Sequence, residues 1–180
     1  MRELRTTPDP ILRQPVRGVM RFDRTLRHLV EDMFAVMDAQ KGVGLAAPQI
    51  GIRSELFVAR YHGTSYVCVN PYPLKWEGQM LAEEGCLSIP KYRLVFPRMA
   101  SILVKYQDLD GNSHELLAEN MLGRIFQHEM DHLTGTLITD YETPHTWTSQ
   151  AATARTSGSH QLGDRAHAGA VRENGQEPPH

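Results

Sequence analysis

The segment Gln127-His128-Glu129-Met130-Asp131-His132 constrains this chain more than any other. Two histidines four residues apart on a helix lie just over one turn from each other, so both imidazoles leave the same face, roughly 6 Å apart along the axis. A divalent ion fits between them. Glu129, next to the first histidine, then lies beside the ion and within reach of a water on it, where a general base belongs. Asp131 is placed to orient a ligand imidazole. The competing account is an accidental His-Glu-His pattern on a polar helix face. Against it stands the stripe Leu122, Ile125, Phe126 and Leu133, which buries this helix and makes idle polar groups beside it costly.

The rest of the chain supplies the setting. Between residues 23 and 40, Leu26, Leu29, Val30, Met33, Phe34 and Met37 recur at steps of three and four, which predicts an amphipathic helix capped by Asp23 and ended near Gly42. From Glu55 to Ala118 short β-rich runs, such as Leu56-Phe57-Val58, Tyr66-Val67-Cys68-Val69 and residues 101–106, alternate with turns at His62-Gly63 and Asp110-Gly111. The motif helix follows, over about residues 119–133. Helix, antiparallel strands, helix is an α+β order, with sheets packed around a central motif-bearing helix.

A length of 180 residues suits one domain with one active site. We read a catalytic domain over 1–143. Beyond Pro144, Trp147, Leu162 and Val171 are the only large apolar residues, so 144–180 reads as a disordered polar tail. The balance of 19 Lys and Arg against 21 Asp and Glu, without a long run of either sign, points away from direct nucleic-acid binding and from a membrane surface. No signal-peptide core or apolar run of membrane-spanning length occurs, so a cytoplasmic location is expected. The two cysteines, Cys68 and Cys86, are then expected as free thiols or ligands rather than a disulfide. Cys68, in an alternating strand, reads as packing, and His62 and His114 as solvated residues near turns.

A catalytic ion needs a third protein ligand. The metzincin pattern would place a histidine where Ile138 stands, after Gly135, and the thermolysin pattern needs a glutamate on a later helix that this chain does not offer. Upstream, Glu84-Gly85-Cys86-Leu87-Ser88 offers a thiolate. These residues, with the histidine motif and Gly42-Val43-Gly44-Leu45-Ala46-Ala47-Pro48-Gln49, resemble the three signatures of the peptide deformylase family. The entry Asp9-Pro10-Ile11-Leu12-Arg13 and the stretch Val95-Phe96-Pro97-Arg98 extend the resemblance over roughly residues 8–140.

The resemblance implies a metal held by Cys86, His128 and His132, with Glu129 as base. It implies Gln49 and the Leu87 backbone N–H as donors to the developing oxyanion. The substrate class is N-formylmethionyl nascent polypeptides, and the products are formate and a free amine. The substrate backbone is expected along Gly44 and Ile89. Val43, Met121 and Ile125, with Leu87, are expected around the methionine side chain, and Arg98 is expected either near substrate or on the surface. Fe2+ is the expected ion, with Zn2+, Ni2+ or Co2+ also suited to a Cys-His-His set. Two other readings stay open: a zincin-like metallopeptidase, and a non-catalytic metal-binding relative. Asn120 and Gly123 depart from the glycine and alanine of many relatives, and Gly123 should weaken the helix by about 1 kcal/mol. The tail does not resemble the C-terminal helix that some bacterial members use at the ribosome, which leaves transient ribosome contact without that route.

Overall fold

An aspartate sets the first helix. In the computed structural model, which describes residues 2–142, the Asp23 carboxylate accepts from the backbone N–H groups of Thr25 and Leu26 at 2.9 and 3.3 Å. Helix α1 then runs Arg24–Ala39 and buries Leu26, Val30, Met33, Val36 and Met37. Its exit differs from the sequence expectation. The left-handed residue is Lys41, at φ 55°, not Gly42. Gly42 is small for another reason: a Cβ there would lie 2.7 Å from the Leu87 Cδ1. The polar tail expected over 144–180 lies outside the described residues.

Seven strands follow: β1 Gly44–Ala46, β2 Leu56–Tyr61, β3 Thr64–Glu77, β4 Met80–Cys86, β5 Ile89–Arg98, β6 Ser101–Gln107 and β7 Ser113–Glu119. Five form an antiparallel sheet in the order β1-β2-β3-β6-β7, and β4 pairs with β5 as a separate two-stranded hairpin. The expected turn at His62-Gly63 joins β2 to β3, both residues having positive φ, as a two-residue hairpin turn requires.

Strand β2 shows why the sheet needs a helix on each face. Leu56 and Val58 pack in the cluster built on α1. Phe57 and Ala59, pointing the other way, pack with Ile125, Phe126, Met130 and Leu133 of the second helix, α2 (Asn120–Leu133). Phe126 stands edge-on to Phe57 and Tyr66 at centroid distances of 5.0 and 5.5 Å. The sheet thus lies between α1 and α2, and the predicted α+β class with antiparallel sheets holds.

The two departures at the start of α2 have local causes. Asn120 sits at φ 52°, a left-handed conformation that asparagine tolerates. Its N–H donates to the Ala100 carbonyl at 2.8 Å. A Cβ at Gly123 would lie 2.7 Å from the Ala118 carbonyl oxygen, so the glycine lets the helix meet β7 closely.

Gly123→Ala therefore tests packing against propensity. Alanine gains about 1 kcal/mol of helix propensity, while overpacking against backbone costs about 1–3 kcal/mol. The expected result is a net loss, read as a fall of about 3 °C in Tm by thermal unfolding; a rise in Tm would contradict this contact.

Candidate metal centre

Helix α2 advances about 100° per residue, so its residues sort by direction. Phe126, Met130 and Leu133 face the sheet. His128 and His132 leave on the opposite side with Arg124 and Asp131, and Glu129 points about 100° round from His128. An amphipathic helix normally exposes such a polar face. Here Arg124, Gln127, Glu129, Asp131 and His132 are all buried. What covers their side is the hairpin: the alternation of β4 sends Glu84 and Cys86 to one face, and their side chains meet the helix.

The ligand atoms of Cys86, His128 and His132 all lie within 4.8 Å of one another. Cys86 Sγ is 3.3 Å from His132 Nε2, and the two rings are 5.1 Å apart at 70°. Donors of a tetrahedral zinc or iron site stand roughly 3.5 Å apart, given metal–ligand bonds of about 2.0–2.3 Å. The S, N, N donor set and its spacing fit one divalent ion. Burial opposes a charged His128, yet the Cys86 and Glu84 acceptors outweigh it and lift its pKa to about 10. His132 is held neutral by burial and by His128, its pKa well below the ordinary value, as a nitrogen ligand needs. Both cysteines are free thiols; Cys68 is fully buried in the α2 cluster, and burial pushes its thiol up.

Behind the ligands lies a set of ion pairs not foreseen from the sequence. Glu84 Oε1 accepts from Arg98 Nε and Arg124 Nη1 at 2.5 and 2.7 Å. Glu84 Oε2 accepts from Arg98 Nη2 and His128 Nδ1, both at 2.9 Å. Burial works to raise the Glu84 carboxyl, but His128 and Arg98 outweigh it and hold it at about 2. Asp131 Oδ2 receives Arg98 Nη1 at 2.7 Å and the Tyr141 hydroxyl at 2.8 Å. Arg98, expected near substrate or on the surface, is not a surface residue: it is 6% exposed and paired with Glu84 and Asp131. A spacing signal for part of this set existed: Glu84 is two residues from Cys86 on a strand, and Arg124 is one helical turn before His128.

On the other side of the ligands sits Glu129. Burial raises its pKa to about 7, with Glu84 adding to that and His128 and Arg98 opposing it, and its Oε2 is buried with no hydrogen-bond partner among the described residues. A Cβ at Gly44 would stand 2.3 Å from Glu129 Oε1. Gly44 is therefore crowded by the Glu129 carboxylate. Gln49 is 1% exposed; its Oε1 accepts from the Ala46 N–H at 2.8 Å, which turns Nε2 toward Ser88 Oγ at 3.1 Å and Cys86 Sγ at 3.8 Å. Leu87 and Ile89 flank Ser88 in the turn between β4 and β5. Met121, on α2 before the histidines, is 41% exposed, Ile125 is buried in the cluster with Phe57 and Phe126, and Val43 is 55% exposed beside Gly44. Ile138, at the metzincin histidine position, is a core residue packed with Leu12 and Phe96.

The chain as a whole is similar to known proteins. The sequence profile of the polypeptide deformylase family matches residues 1–146. The peptide deformylase of Acidobacterium capsulatum is 45% identical over 136 residues, covering 73% of this chain and 80% of that protein. That of Dictyoglomus thermophilum is 40% identical over 140 residues, covering 78% and 92%. The crystal structure of the Thermotoga maritima peptide deformylase superposes with a TM-score of 0.78 at 40% identity, over 80% of this chain and 99% of that one.

Replacing the sulfur tests the ligand set directly. Cys86→Ser should weaken Co2+ binding at least about tenfold, because a neutral hydroxyl replaces a thiolate. It should also remove the sulfur-to-cobalt charge-transfer band in the near ultraviolet. A variant that keeps the band would exclude Cys86 as ligand.

Proposed function

The chain belongs to the polypeptide deformylase family, and from that premise we propose how its residues remove the N-formyl group of newly made polypeptides. The observation that carries the assignment of roles is the convergence of Cys86, His128 and His132 within 4.8 Å, with the Glu129 carboxylate seated against Gly44. A divalent ion held by these three side chains supplies Lewis acidity, drawing the pKa of water toward neutrality and polarising the formyl carbonyl.

Glu129 takes a proton from the attacking water through its unpartnered oxygen. Its pKa of about 7 suits both halves of the task, since the same group must return that proton to the amine nitrogen as the C–N bond breaks. Formate and a free N-terminal amine leave. Negative charge grows on the formyl oxygen during attack and needs donors already in place. Gln49 Nε2 is one, because the Ala46 N–H fixes the amide's other end. The Leu87 backbone N–H is the second. The peptide lies extended along Gly44 and Ile89 as an added strand, with its methionine side chain against Val43, Leu87, Met121 and Ile125.

The peptidase reading is weaker on a specific observation: the residue at its third-ligand position, Ile138, is 2% exposed in the core. A purely structural ion would be closed by a fourth protein ligand, whereas Glu129 stands beside the three. We assign Fe2+ as the ion in the cell. No helix among the described residues is long and apolar enough to cross a membrane. The same proposal places the enzyme in the cytoplasm, with transient ribosome contact, where formylated nascent chains emerge.

The decisive experiment is formate release from a formyl-Met peptide by the purified, metal-loaded protein. Glu129→Gln is expected to keep the metal and lose turnover by at least about a hundredfold. Gly44→Ala should behave similarly by displacing that carboxylate, and Gln49→Leu should lose about a hundredfold to a thousandfold. Full activity in Glu129→Gln would remove the base assignment. Protein prepared without oxygen should contain iron(II); activity with zinc alone would refute that ion.

A further inference from the structure

The two ligand histidines are not held alike. His128 Nδ1 lies 2.9 Å from Glu84 Oε2, whereas His132 Nδ1 is buried with no hydrogen-bond partner among the described residues. We propose that Glu84 is the positioning residue of this site: it fixes the His128 imidazole with Nδ1 protonated and Nε2 toward the ion. It is itself held by a chain of contacts that ends at Tyr141. The inference rests on the reading of Cys86, His128 and His132 as the metal ligands.

The geometry around Glu84 leaves it one orientation. Arg98 contacts both carboxylate oxygens through Nε and Nη2, at 2.5 and 2.9 Å, and this two-point fork sets the plane of the carboxylate. Arg124 adds a third bond to Oε1 at 2.7 Å, so Oε2 keeps a lone pair directed at His128. The sharing also keeps the carboxylate an acceptor, so the His128 nitrogen facing it must be the donor. Because Glu84 and Cys86 belong to the same strand, β4, one stretch of backbone sets both the sulfur ligand and the orientation of a nitrogen ligand.

Arg98 is fixed in turn from the far side. Asp131 Oδ2 accepts from Arg98 Nη1 at 2.7 Å and from the Tyr141 hydroxyl at 2.8 Å. The Tyr141 ring stacks on Phe96 at 4.7 Å and lies 5.1 Å from the Arg98 guanidinium carbon. The turn carrying Tyr141 is tied to the N-terminal segment by the Arg13–Asp140 pair and by Leu12 packing with Ile138. Tyr141 is outside all three sequence motifs, yet it is the outer end of a path of direct contacts to His128.

The test uses the full chain, stripped of metal with a chelator and reloaded with Co2+ or Zn2+, so that it needs no substrate. Glu84→Gln should weaken Co2+ binding by about 10- to 100-fold, the usual effect of removing an outer-shell partner, and should shift the cobalt visible spectrum. Tyr141→Phe removes only a hydroxyl and should weaken binding about threefold. In the Zn2+ form, the His128 Nδ1 proton should give a downfield, exchange-protected NMR signal that moves in both variants. Val30→Ala, a core change in the cluster between α1 and the opposite face of the sheet, should lower Tm and leave metal affinity unchanged. Wild-type affinity, spectrum and proton signal in folded Tyr141→Phe and Glu84→Gln would overturn the proposal, as would an equal loss of affinity in Val30→Ala. Should Glu84→Gln not fold, Tyr141→Phe decides alone by the same readouts. A wild-type protein without the sulfur-to-cobalt band would overturn the ligand assignment itself, a result separate from any difference among the variants.

Discussion

A carboxylate removed from water must be matched by donors at its lone pairs, and Glu84 meets that demand with two arginines and a histidine. Much of the site follows from this one requirement. Arg98 reaches Glu84 from β5 and Arg124 from α2, so the ion pairs join hairpin to helix where apolar contacts alone would leave their relative position less exact. Removing one partner of such a set leaves an uncompensated buried charge, typically a loss of about 3–5 kcal/mol. That penalty makes the arrangement all-or-none, which suits a site whose ligand atoms must stay in register.

The other face of α2 carries a simpler constraint. Phe126, Met130 and Leu133 fit against Phe57, Ala59 and Cys68 of the sheet. Glycine at 123 lets the start of the helix come up to the Ala118 carbonyl. The sheet fixes the depth of the helix and the hairpin fixes its polar side. The histidines then have little rotational freedom left.

Local patterns were legible in the sequence, and long-range pairings were not. The capped first helix, the His62-Gly63 turn and the four-residue histidine spacing each depend on neighbours within a few positions, and each appears where the sequence places it. Cys86 came from a family resemblance, because no periodicity relates a strand cysteine to a helix that follows much later. Arg98 was misjudged for the same reason: its partners Glu84 and Asp131 stand 14 and 33 positions away, and a lone arginine after a proline looks like a surface residue. Gly42 was read as a helix end and Gly44 as a substrate feature, although the groups that crowd them, Leu87 and Glu129, belong to distant segments. The period of a strand would have placed Glu84 beside Cys86, but only a fold could show what it meets.

The burial that makes these charges costly also shapes the reactivity of Glu129, the proposed base. Glu129 shares the dry space of Glu84 and Asp131, and desolvation is the largest influence lifting its pKa to about 7. Glu84 lies in the same interior, where desolvation also acts to raise it, yet its hydrogen bonds to His128 and Arg98 outweigh that and hold it at about 2. The difference between the two carboxylates is one of partners rather than depth. Glu84, saturated with donors, stays charged and holds a ligand still; Glu129, with one oxygen unpartnered and a glycine giving it room, is left able to take and return a proton. Adding a donor to Glu129 would steady it and lower its pKa, and in doing so would make it resemble Glu84. The bare approach of Gly44 is therefore as much a part of the chemistry as the carboxylate it accommodates.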